Sequence, residues 1–291
     1  MELPEYEGPI VNRAVDTKRW DLLEPRAGDI VVAVGDKMGT TWTQMLCALL
    51  VHGPELPRPL AELSPWLDGG FHNHPEDSVE VLNAQRWRRV IKTHTPLHAL
   101  RYREDAFYVT CGRDPRDAFL SGVDHATNSA LPGARNPPSD RDKAFAYVLR
   151  QVENQGGLLD HTASFWRYRT LPNLIFLHYA DMSDDLEAEM TRLAGFLGID
   201  RAPDEIRALC EAARFDAMRA DADNLAPGAK VTGRWKSNAD FFRKGRLAEW
   251  REVLSRETQD LYVATTRSRY DHAMLDWLER GRSATGDPRD L

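Results

Sequence analysis

The segment from residue 29 to residue 42 constrains the fold more than any other part of the sequence. Residues 29 to 34 form a mostly apolar run without alternation, which is typical of a strand buried on both faces. Gly35 ends the run, Lys37 follows, and residues 41 to 51 are compatible with a helix. The N–H groups of a glycine-containing loop and of a helix N-terminus can surround an anion. The segment therefore predicts a phosphate-binding loop, and the alternative is an ordinary strand-turn-helix junction.

The order of residues in this loop differs from that of a Walker A loop. There, Gly-Lys is followed directly by a Ser or Thr that binds Mg²⁺. Here Lys37 precedes Gly39, and the hydroxyls of Thr40 and Thr41 come after it. The order predicts a phosphate held by backbone groups, hydroxyls and one lysine, without a metal-binding serine in the usual position.

Further strands and helices alternate along the chain. Apolar runs predict strands, and longer periodic segments predict helices, at residues 89–92 (strand), 106–111 (strand), 174–178 (strand), 75–85 (helix), 114–127 (helix) and 182–197 (helix). Asp114 is a suitable N-cap for the helix that begins at Pro115. Residues 221–246 are predicted to form a long loop, and 247–281 are again helical.

The predicted alternation places several polar residues at one edge of a sheet. Buried parallel strands linked by helices bind ligands at their carboxyl ends. Lys37, His94, Arg113 and Tyr179 each follow a predicted strand, so we expect them to converge. A chain of 291 residues, of which 42% are hydrophobic, can bury one substantial core, and we expect residues 1–291 to form a single domain.

Four separated motifs identify a family. In order, they are Lys37-Met-Gly-Thr-Thr-Trp42, Lys92-Thr-His94-Thr-Pro-Leu97, Arg113 with Ser121 eight residues later, and Arg243-Lys244-Gly245. This set resembles the cytosolic-type sulfotransferases, with this chain as a bacterial-like member. The resemblance implies a single three-layer α/β/α domain with a central, mainly parallel sheet. It also implies that 3′-phosphoadenosine 5′-phosphosulfate (PAPS) is the co-substrate and 3′,5′-bisphosphoadenosine (PAP) the product, with no metal.

The resemblance assigns roles to the motif residues. His94 would be the general base, Lys37 would neutralise the leaving oxygen and 5′-phosphate, and Lys92 would stabilise the transferring oxygens. The 3′-phosphate would bind Arg113 and the lid formed by residues 243–245. The full set of nucleotide-binding residues implied is Lys37, Met38, Gly39, Thr40, Thr41, Trp42, Arg113, Ser121, Tyr179, Phe215, Arg243, Lys244 and Gly245.

Some residues depart from the family pattern. Met38 stands where the family usually has a serine, whose hydroxyl would restrain the lysine before the acceptor binds. Asp36 places an acid beside the sulfate site, and we expect its side chain to point away. Arg116 is expected to pair with an aspartate on a solvated helix face. The animal-type dimer motif is absent around Arg251, so the oligomeric state stays open.

Composition and charge exclude other classes. A formal net charge of −7 argues against nonspecific nucleic-acid binding. No segment approaches the roughly 20 apolar residues of a membrane span, and the first residues lack a signal-peptide pattern, which predicts a cytoplasmic protein without a membrane span. His72 and His74 near Asp68 lack further metal-ligand spacing, and a surface loop is the expected interpretation.

The acceptor is not identified by the sequence. Trp66, Phe71 and the 124–140 loop are expected to shape an apolar pocket for a small molecule, which could be a phenol, an alcohol, an amine or a glycolipid. Two other functions stay open at this point: a P-loop kinase or NTPase, and a nucleotide-binding protein without catalysis.

Overall fold

Four parallel strands form the central sheet of the computed structural model, which describes residues 2–12, 14–69, 77–130, 139–155, 159–229, 234–242 and 245–291. The strands are β1 (Ile30–Ala33), β2 (Val90–Thr93), β3 (Phe107–Gly112) and β4 (Leu174–His178). Their order across the sheet is β2-β1-β3-β4, and every neighbouring pair is parallel. The sheet confirms the predicted parallel arrangement, with each strand within one residue of its expected bounds.

Helices connect the strands and cover the sheet. The α-helices of the described residues are α1 (Thr40–His52), α2 (Leu60–Leu63), α3 (Ser78–Ala84), α4 (Pro115–Asn128), α5 (Arg141–Gln155), α6 (Asp160–Trp166), α7 (Tyr179–Asp184), α8 (Leu186–Leu197), α9 (Pro203–Ala213), α10 (Phe215–Ala220), α11 (Ala222–Leu225), α12 (Trp250–Val253), α13 (Arg256–Arg267), α14 (His272–Arg280) and α15 (Arg282–Thr285). Short 3₁₀ helices lie at Thr17–Leu22, Leu97–Ala99, Ala239–Phe241 and Pro288–Asp290. In the described residues, no helix is both long enough and apolar enough to cross a membrane.

The two faces of the sheet are covered by different helices. On β3, Cys111 lies toward the start of α1, because its Sγ is 3.3 Å from where a Cβ on Gly39 would be. The next residue, Gly112, points to the other face, where the Trp277 ring of α14 fills the space of a side chain. Trp166 of α6 packs on the same Trp277, with ring centroids 5.5 Å apart. The sheet therefore lies between two helical layers, as predicted.

One helix prediction and one loop prediction need correction. The helix expected at residues 182–197 begins earlier and is divided into α7 and α8. Asp185 divides it, since its non-helical backbone (φ −139°, ψ 80°) ends the first helix and its carboxylate accepts a hydrogen bond from the Ala188 N–H at 3.0 Å. The region 221–246, predicted as loop, contains α11 and a 3₁₀ turn in its described part.

The Arg116 side chain does not lie on a solvated helix face. It pairs with Asp114 at 2.7 Å as expected, but only 7% of Arg116 and 9% of Asp114 are exposed. The guanidinium also stacks over the Trp250 ring, 3.6 Å from its centroid. The pair is buried because α12 covers the first turn of α4, which the sequence pattern of α4 alone does not reveal. Asp114 is the predicted N-cap and accepts from the Arg116 N–H at 2.9 Å.

Candidate active site

The loop after β1 is shaped for close approach to an anion. Lys37 and Gly39 both have positive φ, 60° and 105°, so the chain turns sharply before α1. A Cβ on Gly39 would lie 3.2 Å from the Tyr179 ring, so that only glycine fits both the backbone angle and the space. Gly39 is also the N-cap of α1 and supplies no side-chain bond to its first N–H groups. These donors and the positive end of the helix dipole are left for a ligand.

A cavity of about 1340 Å³ opens at the carboxyl ends of the strands. It contains most of the residues that the sequence motifs single out. The predicted site residues that line it are Lys37, Gly39, Thr40, Thr41, Trp42, Lys92, His94, Arg113, Ser121, Tyr179, Phe215 and Gly245. Met38 is not among them, since its side chain is buried under Gly35 with 4% exposed. Arg243 and Lys244 lie outside the described residues, as do Phe71, His72 and His74.

One side of the cavity is built around Arg113. Its guanidinium donates to the carbonyl oxygens of Lys37 and Arg246, at 3.4 and 3.2 Å, and lies over the Tyr179 ring at 4.3 Å. Its Nε is buried and has no hydrogen-bond partner among the described residues. Arg113 as a whole lines the cavity, and its forked guanidinium charge suits an anion such as a phosphate.

Aromatic rings surround the same side. The rings of Trp42 and Tyr179 meet edge to face at 5.2 Å, and Trp42 Nε1 donates to the Ala213 carbonyl at 2.9 Å. Phe215 begins α10 and packs against Gly245, where a Cβ would lie 2.9 Å from its ring. The predicted Arg-Lys-Gly loop therefore ends beside the aromatic group. This combination of flat faces and cations suits a purine nucleotide carrying phosphates.

His94 lies at the other side of the cavity, after β2. Its Nδ1 is 2.6 Å from the Val34 carbonyl oxygen, which can only accept, so Nδ1 carries the proton. Nε2 is then the ring nitrogen with a free electron pair. Burial, and next the charge of Lys92, lower the pKa of His94 to about 4. The imidazole is neutral at pH 7 and can accept a proton.

Lys92 lies two residues before His94 and faces the same cavity. Its ammonium lies 4.8 Å from the centroid of the Trp66 ring, and the His94 ring meets that ring edge to face at 4.9 Å. Burial lowers the pKa of Lys92 to about 8, while the charge of Asp36 acts in the opposite direction. Trp66 is fixed in turn by a hydrogen bond from its Nε1 to Asp68 at 2.9 Å.

Asp36 does not point away from the site, contrary to the expectation from sequence. It is accessible and lines the cavity. Burial by itself would raise the pKa of its carboxyl, but the interactions with the neighbouring basic groups His94 and Lys37 outweigh burial and lower it. The carboxylate therefore stays charged. The sharp turn at Lys37 aims Asp36 into the cavity, and an irregular turn has no side-chain period from which this could be read.

His125 falls within the 124–140 range that was expected to be a pocket loop, but no role was predicted for it; residues 124–128 belong to α4, and residues 131–138 lie outside the described residues. Its Nδ1 is 3.0 Å from the Nζ of Lys37, and the Lys37 ammonium also lies 5.2 Å from the Phe241 ring centroid. The available signal was helical spacing, because His125 is one turn after Ser121 on α4. Arg234 and Trp235 line the same side and were missed too, as no motif surrounds them.

The described residues of the site include no metal centre. Across the part of the chain that the structure describes, no three His, Cys, Asp or Glu side chains come together as ligands for an ion. Asp68, which the sequence places near two histidines, is instead buried and accepts from Trp20, Trp66, Thr93 and Thr95.

Comparison with known proteins identifies the family. A model of the sulfotransferase domain matches residues 27–273. The glycolipid sulfotransferase of Mycobacterium bovis (strain BCG / Pasteur 1173P2) is 34% identical across 95% of this chain and 97% of its own length. Cytosolic sulfotransferase 1 of Danio rerio is 24% identical across 85% of each chain.

Solved structures share the fold. Retinol dehydratase in complex with retinol and PAP superposes with a TM-score of 0.72 at 22% identity, over 87% of this chain and 86% of its own. A mouse sulfotransferase complexed with PAP gives 0.69 at 17% identity, over 96% of this chain and 99% of its own. With the family model covering most of the sequence, this chain belongs to the sulfotransferase family of enzymes.

Proposed function

We propose that this enzyme transfers the sulfuryl group of PAPS to a hydroxyl of its acceptor, with His94 as the general base. The observation that carries this role is the bond from Nδ1 of His94 to the Val34 carbonyl. It fixes the tautomer, so that Nε2 faces the reaction with an electron pair. The low pKa of about 4 keeps this nitrogen unprotonated at neutral pH.

The donor would bind along the Arg113 side of the cavity. The N-terminus of α1 and Thr40 and Thr41 would hold the 5′-phosphosulfate, while Arg113 and Ser121 would hold the 3′-phosphate together with residues 243–245. PAPS supplies an activated sulfuryl group whose leaving oxygen gains charge during transfer. The adenine would lie between Trp42 and Phe215. The Arg113 guanidinium lines the same cavity as Trp42 and Phe215, which supports this placement.

Two lysines would stabilise the charges of the reaction. Lys37 follows β1 and would donate to the leaving oxygen and 5′-phosphate, and Lys92 would donate to the transferring sulfuryl oxygens. Both ammonium groups are largely shielded from water, where an electrostatic interaction is stronger than in bulk solvent. The proton from the acceptor hydroxyl would pass to Nε2 of His94, and no other group is needed to remove it.

The proposed acceptor hydroxyl belongs to the sugar of a glycolipid. Trp66, Trp235 and Phe241 give this side of the cavity aromatic faces for a sugar ring, and Asp36 gives a carboxylate that can accept from neighbouring hydroxyls. The glycolipid sulfotransferase relative at 34% identity supports the same choice. A simple phenol has a single hydroxyl and offers Asp36 no second hydroxyl to accept from.

The test is sulfuryl transfer from labelled PAPS to matched glycolipid, steroid, phenol and amine acceptors. We expect glycolipids to give the highest kcat/KM, and Asp36→Asn to lower kcat/KM for glycolipids more than for a phenol.

Calorimetry tests the donor site and should show PAP binding more tightly than AMP. Arg243→Ala should narrow that difference by on the order of 1.5–3 kcal/mol, the value of a hydrogen bond to a charged group. Equal binding of the two nucleotides contradicts the donor assignment, and preference for a phenol contradicts the acceptor.

A further inference from the structure

We propose that Arg234 is a specificity-determining residue that binds an anionic group of the acceptor, so that the preferred acceptor is an acidic glycolipid and not a neutral one. The anionic group is a carboxylate, a sulfate or a phosphate, carried by the sugar whose hydroxyl receives the sulfuryl group. The inference rests on the proposed function, because it narrows the choice of a glycolipid acceptor made above.

The backbone of Arg234 is held against the segment that follows α4. Its carbonyl oxygen accepts from the Ala130 N–H at 3.1 Å, and the next residue, Trp235, forms an antiparallel bridge with Ser129. The Trp235 Nε1 donates to the Pro227 carbonyl at 2.8 Å. Hydrogen bonds to two separate segments fix the main chain here, so the Arg234 side chain starts from a defined point in the cavity wall.

Gly228 makes room for the stem of the Arg234 side chain. A Cβ added to Gly228 would lie 3.3 Å from the Cγ of Arg234, so the stem packs closely on the glycine. Gly228 also has a φ of 69°, in the left-handed region that favours glycine. The Cζ of Arg234 lies 4.9 Å from the centroid of the Trp235 ring, and both residues line the cavity. The guanidinium is therefore placed beside an aromatic surface assigned to the acceptor sugar.

Arg234 adds a third positive charge to the side of the cavity that holds Lys37 and Lys92. Gly228, on which its stem packs, lines a small pocket together with Trp66 and Lys92. Burial is the largest influence that lowers the pKa of Lys92, and the charges of Lys37 and Arg234 lower it further. The three cations are thus close enough to repel one another, and an anion bound among them would relieve this repulsion.

The charge of Arg234 is not balanced by a carboxylate of the chain. In the part of the chain that the structure describes, no Asp or Glu forms an ion pair with it, and burial lowers the pKa of its guanidinium. Two carboxylates of the cavity serve other cations: the charge of Lys37 acts on Asp36, and Asp124 pairs with Arg141 at 2.9 Å. A half-buried guanidinium of this kind suits an anion brought by a ligand, and its planar fork matches two oxygens of that anion.

The acceptor, and not the donor, supplies this anion. The phosphates of the donor are assigned to Arg113 and the N-terminus of α1, and its sulfuryl oxygens to Lys92. A sugar that rests against Trp235 brings an acidic substituent to Arg234 while one of its hydroxyls faces His94. A neutral sugar displaces water from the guanidinium and returns no charged acceptor, so it binds less tightly.

Matched lipids test this assignment by calorimetry on the complex of enzyme and PAP. Octyl glucoside and octyl glucuronide differ only in a hydroxymethyl group and a carboxylate, and the 6-sulfate and 6-phosphate of octyl glucoside distinguish the three anions. We expect the wild type to bind at least one acidic lipid on the order of ten- to a hundredfold more tightly than octyl glucoside, the effect of a hydrogen bond to a charged group. Arg234→Gln should reduce this preference to within about twofold by weakening only the acidic lipid.

A second arginine of the same cavity provides the control. Arg207 lines the cavity but lies 4.0 Å from Glu187, so Arg207→Gln should keep the wild-type preference. Arg234→Lys retains the charge without the fork and should show a preference between those of the wild type and Arg234→Gln. PAP affinity should be the same in the wild type and Arg234→Gln, which also reports that the variant is folded.

Two results overturn the proposal. One is equal binding of octyl glucoside and all three acidic lipids by the wild type. The other is an equal loss of affinity for neutral and acidic lipids in Arg234→Gln, which would assign Arg234 to packing. Failure of the proposed function is seen separately, as absence of PAPS-dependent transfer to any glycolipid, because the binding preference is measured with PAP and needs no turnover.

Discussion

At the scale of single residues, the site depends on which nitrogen or oxygen is left without a partner. His94 uses one ring nitrogen to hold its orientation and keeps the other free, and Arg113 keeps a buried Nε free. His94 and Arg113 could be predicted because each follows a strand within a motif of known chemistry. The direction of the Asp36 side chain and the role of His125 could not be predicted. Asp36 lies in an irregular turn and His125 is a lone histidine on a helix, and neither belongs to a motif that fixes where its side chain points.

The first prediction separates the general base from the donor site. His94→Ala should lower kcat by roughly 10²–10⁴, the usual contribution of a positioned proton transfer, and leave PAP affinity unchanged. Lys37→Ala should weaken PAP binding and lower kcat together, because in the proposed mechanism its charge faces the nucleotide in both the bound and the transition state. Steady-state kinetics and calorimetry with PAP check both. Near-normal kcat of His94→Ala with a weakly acidic alcohol would show that another group removes the proton.

The pH profile of the wild type belongs to the same prediction. His94 must be neutral, so activity should rise as pH increases through its pKa of about 4. Lys92 must be charged, so activity should fall as pH increases through about 8. His94→Ala should lose the acidic limb and keep the basic one.

At the scale of elements, the carboxyl edge of the sheet determines where the site lies. Parallel strands β1, β2, β3 and β4 all end at this edge, so residues distant in sequence meet there. Hydrophobic runs made these strands predictable within one residue. The division of α7 from α8 was not predictable from hydrophobic spacing, because a single capping aspartate breaks a periodicity that continues through it.

The second prediction concerns the glycine that begins α1. Gly39 and Gly53 both have positive φ, 105° and 98°, so replacement by Ala at either position should destabilise folding by about 1–3 kcal/mol through backbone strain. A Cβ at Gly53 meets nothing within 4 Å, while one at Gly39 would press on the Tyr179 ring. Only Gly39→Ala should therefore weaken PAP binding. Urea unfolding and calorimetry measure the two effects, and equal PAP affinity in both variants would contradict the assigned phosphate loop.

At the scale of the whole molecule, the chain keeps several histidines neutral inside a folded structure. Burial is the largest influence on each, and lowers the pKa of His94 to about 4 and of His125 and His161 to about 3. His161 lies behind the site, near Gly35, and both its ring nitrogens are shielded from solvent. These groups bind protons in the unfolded chain near their usual pKa of about 6.5 and do not do so in the folded one. The fold is therefore coupled to pH through the same burial that prepares the site.

The third prediction is that the protein loses stability as pH falls from about 6.5 toward 4, since the unfolded state then binds more protons than the folded state. As pH falls across that window, each such histidine lowers the free energy of unfolding by up to about 1.4 kcal/mol per pH unit. His161→Phe removes one of them outside the proposed chemistry and keeps an aromatic ring beside Phe165. Thermal unfolding followed from pH 7 to pH 4.5 should show a smaller loss of Tm for His161→Phe than for the wild type.

His272→Gln, which removes an exposed imidazole, is the control and should retain the wild-type slope of Tm against pH. A slope unchanged by His161→Phe would mean that His161 is protonated inside the fold, and that burial does not keep it neutral.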